Sequence, residues 1–276
     1  MVFLQNRKKF IFENLINMNK KILILGNSSF FRQRVFPSLK KIANLDIIIC
    51  SKSNRINKNK NIYFNDYDKA LYGFKYDLVY ISLINPFHFP IAKKAIKLGF
   101  NVIIDKPITL RFDHTKKLIK LAKDNNVLLS EYTIFNHHKI FDKIKRLIGG
   151  YKNIELIISN FNIPLNKEIK NYYLKKNDCL EDMSPYASSI IRIFLGGKVQ
   201  NYLVKKKNLQ GNPNLIKEFT VFAYNNKTHY IGNFGIDKEY ESKIKIYCKR
   251  KIIVIPFKAF ALPSGKKISI SIKEKN

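Results

Sequence analysis

Tryptophan does not occur among the 276 residues, cysteine occurs three times, and 20 acidic side chains face 51 Lys and Arg, a formal net charge of +31. The three thiols, Cys50, Cys179 and Cys248, are far apart and show no C-x-x-C spacing, which argues against a disulfide framework and against a zinc or other metal site. No stretch approaches eighteen uncharged apolar residues, so no membrane partner is expected and a reduced cytoplasm is the simplest home. The first seventeen residues, MVFLQNRKKFIFENLIN, lack the apolar core and small-residue cleavage site of a secretory signal. They are expected to be an N-terminal extension, either a short amphipathic helix or a stretch before a start at Met18. Arginine is scarce as well, with eight residues among the basic 51. Proteins that grip nucleic acid lean on Arg for bidentate contacts, so Lys spread along every segment reads as solvated background. No specific nucleic acid is expected. A basic nucleic-acid binder is kept as a second alternative, because any such charge attracts polyanions in a salt-dependent way.

A hydrophobic content of 46%, with 13% aromatic residues, supplies a core and excludes a wholly disordered chain. Between Lys20 and Glu131, short apolar runs (KILILG, LDIIICS, DLVYISL, NVIIDKP, VLLSE) alternate with helical-period stretches (FFRQRVFPSLKKIA, HFPIAKKAIKLG, HTKKLIKLAKDN). Continuous apolar strands between amphipathic helices predict βαβ units and a parallel sheet buried on both faces. Residues 18–132 are therefore read as a doubly wound, Rossmann-type α/β domain that binds a dinucleotide. Beyond Tyr132 come a helix HKIFDKIKRLI, a strand NIELIISNFNI, a Lys- and Asn-rich loop, a helix PYASSIIRIFLG, and then five strand-like runs ending at KIIVIPF. Strands joined by turns predict a mostly antiparallel, open-faced sheet, so residues 133–276 are read as an α+β domain, to which the resemblance described below assigns substrate binding and oligomerisation.

Gly26 ends the first strand and precedes Asn27, Ser28, Ser29, Phe30 and Phe31. A dinucleotide turn uses its first glycine for the tight turn, its second for approach to the pyrophosphate and its third for helix packing. Only the first is glycine here. Ser28 is small enough for the second role, but Phe31 is too bulky for the third, so the helix must sit differently or the fingerprint has decayed. An ordinary strand-to-helix turn reads equally well from these residues alone. After the second strand, Cys50-Ser51-Lys52-Ser53 stands where an acid would hold a ribose 2′-hydroxyl. A hydroxyl and a cation there, with Arg34 able to join them, favour NADP(H) over NAD(H).

The segment from Val79 to His88, followed by PIAKKAIKLGFNVIIDKPIT, resembles the Gfo/Idh/MocA oxidoreductases, the glucose-fructose oxidoreductase and inositol dehydrogenase family. Asn85 and His88 match an Asn-containing loop that ends in His, and Asp105-Lys106-Pro107 matches the family's Glu-Lys-Pro with a shorter acid. Leu180 to Tyr186 is similar to the segment that opens a helix in the second domain, with Asp182 four residues before Tyr186. The likeness extends from about Lys20 to Gly265 and is densest from Val79 to Thr109. It implies hydride transfer between a nicotinamide and a carbinol or ketone carbon of a sugar or sugar-nucleotide, in a homo-oligomer. Gly26, Ser28, Ser29, Arg34, Ser51, Lys52, Asn85, His88, Asp105 and Pro107 would meet the cofactor. Lys106 would hold the substrate oxygen, Tyr186 would exchange its proton with an acidity raised by Lys106, and Asp182 would orient a hydroxyl or Lys106 itself. Tyr172, Tyr173 and His137 would line the substrate cleft, and the Lys106–Pro107 bond is expected to be cis.

Several features depart from the family's pattern. Asn177 and Asp178 replace the glycines that usually precede the second-domain helix, and Asn can supply the left-handed turn they would have made. A competing account of Asp182 makes it a cap for a helix begun near Pro185. The chain stops at Asn276, short of a final strand and helix that many members carry. The first alternative to an enzyme is thus a divergent member that binds nucleotide or sugar without chemistry.

Overall fold

In a computed structural model of the chain, residues 20–52, 63–64, 66–165, 178–197, 199–260 and 269–274 are described. They fall into two compact units, divided between Tyr132 and Thr133.

The first unit is built on six parallel strands in the order β3-β2-β1-β4-β5-β6. They are β1 (Lys20–Leu25), β2 (Leu45–Cys50), β3 (Tyr63–Phe64), β4 (Leu78–Ile81), β5 (Val102–Asp105) and β6 (Leu129–Tyr132). This is the doubly wound order, whose direction reverses between β1 and β4. Leu23, Ile24 and Leu25 are all fully buried, as consecutive residues must be when helices cover both faces of a strand. Helices α2 (Tyr67–Gly73), α3 (His88–Lys97) and α4 (Phe112–Asp124) present apolar stripes to the sheet. Ile91, Ala92, Ala95 and Ile96 of α3 are buried, as are Leu118 and Ala122 of α4. Each large aliphatic among them contributes about 1.5–3 kcal/mol over an exposed position. Two elements have no counterpart in the sequence reading, the two-residue β3 and the seven-residue α2. The latter is capped by Asp66, whose carboxylate accepts from the Asp68 and Lys69 N–H groups.

After β1 the chain enters a π-helical turn at Phe31–Val35 and then the short α1 (Phe36–Leu39). The wider turn answers the problem that Phe31 raised. Its ring is 1% exposed, with centroids 5.6 Å from Phe36 and 6.0 Å from Tyr80, in a pocket closed by Ile22, Ile24, Val35 and Ile49. A glycine would let an α-helix pack flush on the strand, whereas the bulky ring is housed beneath a loosened turn.

The second unit holds seven strands in the order β13-β12-β11-β7-β10-β9-β8. In chain order they are β7 (Ile154–Ile163), β8 (Asn201–Leu209), β9 (Asn212–Tyr224), β10 (His229–Ile236), β11 (Glu241–Cys248), β12 (Lys251–Ile255) and β13 (Ser271–Glu274). Only β7 and β10 pair in parallel; the other five pairings are antiparallel. Strict alternation of buried and partly buried residues along β11 marks one packed and one open face. Helices α5 (Ile140–Leu147) and α6 (Cys179–Phe194) supply the packed side of a single core that includes Ile144, Met183, Ile190, Phe219 and Ile246.

On the open face a hydrogen-bonded row crosses four strands. Thr220 Oγ1 donates to Asn233, Asn233 to Asn160 and Asn160 to Glu241, at 3.0, 3.1 and 2.9 Å. The sequence reading began the second-domain helix at Pro185. It starts six residues earlier, because the Asp178 side chain caps it by accepting from the Glu181 N–H, and Pro185 lies inside. Asp178 is extended at φ −126°, so the turn there needs no left-handed residue; Asn177 falls outside the described residues. No helix among the described residues is long and apolar enough to cross a membrane.

Candidate functional site

The carboxyl ends of β1, β4 and β5 lie side by side where the strand order reverses, the place at which open α/β sheets take ligands. Gly26 leaves β1 at φ +103°, and a Cβ on it would stand 2.1 Å from the Ser82 carbonyl oxygen. Glycine is therefore required both by the backbone conformation and by the close passage of the β4 end. Ser28 then turns the chain: its Oγ accepts from the Phe31 N–H at 3.0 Å and lies 2.7 Å from Ser82 Oγ. Ser29 is exposed, and the Arg32 guanidinium donates to the Asn27 carbonyl and, at 3.1 Å, to Ser29 Oγ. Arg34 is exposed on the π-turn.

Ser82 continues the row inward by donating to Asp105 at 2.7 Å, and the Tyr80 hydroxyl donates to the other Asp105 oxygen. Burial pushes the Asp105 carboxyl above the usual range, opposed by these two hydroxyl donors and by His88 and Lys106 nearby. Burial likewise raises the Tyr80 phenol, and the Asp105 charge adds to that. The shorter acid thus spends both oxygens inside the protein, where it ties β4 to β5. Sequence reasoning missed Tyr80, Ser82 and Arg32. Tyr80 on β4 and Ser82 just past its end stand two apart in extended chain, a spacing that puts both on one face, and that was the available signal.

Lys106 follows β5 directly and is partly buried, and the Lys106–Pro107 bond is cis. The next residue in the loop, Ile108, donates its N–H to Glu131 Oε2 at 2.9 Å. Asn85 is buried in the turn after β4, and its Nδ2 has no hydrogen-bond partner among the described residues. His88 is fully buried, its two ring nitrogens within hydrogen-bond distance of the Pro107 and Leu83 carbonyls.

At the end of β2, Ser51 is buried and Lys52 exposed, with the ammonium 5.1 Å from the centre of the Tyr67 ring. The nearby acid, Asp66, is committed to capping α2, and the Lys69 N–H holds its carboxyl below the usual range. Burial pushes the Cys50 thiol up to about 12, so it stays a neutral wall here.

In the second unit Asp182 and Tyr186 are both partly buried on α6, one turn apart. The Tyr186 ring meets Phe135, Phe161 and Phe260 with centroids 6.2, 5.4 and 5.5 Å away. His137 is exposed on a short 3₁₀ turn, and Tyr172 and Tyr173 lie outside the described residues.

Residues 20–133 match the model of a family described as an oxidoreductase family with an NAD-binding Rossmann fold, Gfo/Idh/MocA. The chain is 28% identical over 138 residues to a dTDP-3,4-didehydro-2,6-dideoxy-α-D-glucose 3-reductase of Streptomyces violaceoruber, a match that spans 49% of this chain and 40% of that protein. To the enzyme of the same name from Saccharopolyspora spinosa it is 24% identical over 267 residues, 92% of this chain and 80% of the relative. Among solved structures, KijD10, a 3-ketoreductase from Actinomadura kijaniata in complex with NADP and TDP-benzene, superposes with a TM-score of 0.85. At 17% identity over 93% of this chain and 82% of that one, this likeness is one of fold.

Proposed function

Residues 20–133 belong to the Gfo/Idh/MocA oxidoreductase family, and from that premise we propose that the chain is an NADPH-dependent ketoreductase acting on a nucleotide-linked hexose. The observation that carries the reading is the reversal of strand order, with Gly26 passing under the Ser82 carbonyl and Lys106 at the end of β5, two strands from β1.

The residues present fit a dinucleotide. The cradle at Gly26 admits no side chain, Asn85 Nδ2 is a buried donor without an acceptor, and the end of β2 carries no free carboxylate among the described residues. Ser28, Ser29 and the first helical turn would face the pyrophosphate, while Ser51 and Lys52, with Arg34, would hold a 2′-phosphate. That last pair supports NADP(H) over NAD(H). A bound nicotinamide supplies the hydride. Lys106 polarises the substrate carbonyl by donating to its oxygen, while the proton-donor role of Tyr186 and the hydroxyl-orienting role of Asp182 rest on the resemblance of the Leu180–Tyr186 segment. The sugar-nucleotide substrate class rests on the activity of the two reductases above.

The absence of tryptophan leaves NADPH emission without indole background, so cofactor binding is followed directly by fluorescence titration. Saturable binding is expected, with NADPH oxidation on addition of dTDP-3,4-didehydro-2,6-dideoxy-α-D-glucose. Lys106→Ala is expected to lower that turnover by about 10²–10⁴-fold with cofactor affinity retained. A chain that fails to bind NADPH at all, or an unimpaired Lys106→Ala enzyme, overturns the reading.

A further inference from the structure

His88 opens α3 with its ring entirely enclosed. Nδ1 lies 2.7 Å from the Pro107 carbonyl oxygen and Nε2 lies 2.9 Å from that of Leu83. Those two carbonyls belong to the loops that leave β5 and β4, adjacent strands on one side of the reversal. A carbonyl oxygen only accepts, so the ring nitrogen that carries the proton donates to the carbonyl it faces, and the tautomer with the proton on Nδ1 holds Pro107. With both nitrogens spent and no surface exposed, the ring has nothing left to offer a ligand.

What it holds is the segment that carries Lys106. Pro107 is pinned to the β4 side through His88, and Ile108 is pinned to β6 through Glu131, so the backbone following Lys106 is tethered from both neighbouring strands. We propose that His88 is a positioning residue: its Nδ1–H donates to the Pro107 carbonyl and fixes where Lys106 stands relative to the end of β4. In this proposal His88 acts through Lys106, whereas the resemblance implied contact with the cofactor. This inference rests on the reading of Lys106 as the group that polarises the substrate.

A residue that sets the placement of a reacting group acts on turnover rather than on binding. His88→Leu keeps the volume and loses the donor. It is expected to lower kcat with NADPH and dTDP-3,4-didehydro-2,6-dideoxy-α-D-glucose about a hundredfold while leaving the KM for the sugar and the NADPH affinity near wild type. His88→Gln, whose amide hydrogens extend in the same direction, is expected to recover most of the loss. Unchanged kcat in a folded His88→Leu protein overturns the proposal, as does a loss of NADPH affinity with kcat retained, or equal impairment by Leu and Gln. Should the Leu variant not fold, the ring protons of the wild-type protein decide instead. A ¹⁵N-resolved spectrum with a slowly exchanging Nδ1 proton on His88 supports the clamp, and a bare Nδ1 overturns it. That measurement needs no turnover, so a protein with the Nδ1 proton but no NADPH chemistry counts against the proposed function and not against the clamp.

Discussion

Gly26 shows how one residue can be fixed by two independent demands. Its φ of +103° excludes side chains on conformational grounds, and the Ser82 carbonyl excludes them by contact. Gly26→Ala is therefore expected to cost about 3 kcal/mol, strain and clash together, read as a lowered midpoint in urea. A variant within a few tenths of wild type would mean that the β4 end yields. The glycine and Ser28 stood out in the sequence as a strand end followed by a small-residue turn, a pattern that an ordinary strand-to-helix turn shares. Tyr80 and Ser82 were not, since hydroxyls inside an apolar run announce no partner, and their partner Asp105 lies on another strand. Asp105 read as a cofactor residue, and in the structure each of its oxygens accepts from one of those hydroxyls.

At the scale of elements, alternation of apolar strands with amphipathic helices was enough to order the first unit, and turn-linked strands were enough for the second. The elements missed are short or begin beside masking composition. Helix α2 follows a Lys- and Asn-rich stretch that hid the capping Asp66, while β3 has two residues and β13 four. Helix α6 was shortened in the reading because Pro185 resembles a first-turn proline. Its real start depends on Asp178, and Asp178→Ala is expected to destabilise the protein by about 1 kcal/mol, measured by urea unfolding. Loss of helix content confined to residues before Pro185, detected by amide exchange, would accompany it. An unchanged midpoint would show that packing of Met183 and Ile190 sets the helix start instead.

Across the whole chain, 20 acids cannot neutralise 51 bases, and the ion pairs among the described residues, such as Lys20–Asp77, Lys94–Asp68 and Lys238–Glu218, engage few of them. Such pairs contribute little, about 0–1 kcal/mol each, and the unpaired remainder repels itself. Thermal stability without cofactor is accordingly expected to rise as sodium chloride is increased from about 0.01 to 0.15 M, where the screening length shrinks from about 30 to 8 Å. A flat or falling melting temperature would contradict that balance. The arrangement of β7 has a further consequence, for how the second unit is made. This central strand lies between β10 and β11, and Leu156 has to wait for His229 and Tyr247 before either edge is satisfied. Closing such distant pairs carries a large entropic barrier and slows folding. During synthesis β7 must leave the ribosome with both edges bare, which makes it the stretch of the nascent chain with the most to gain from a chaperone.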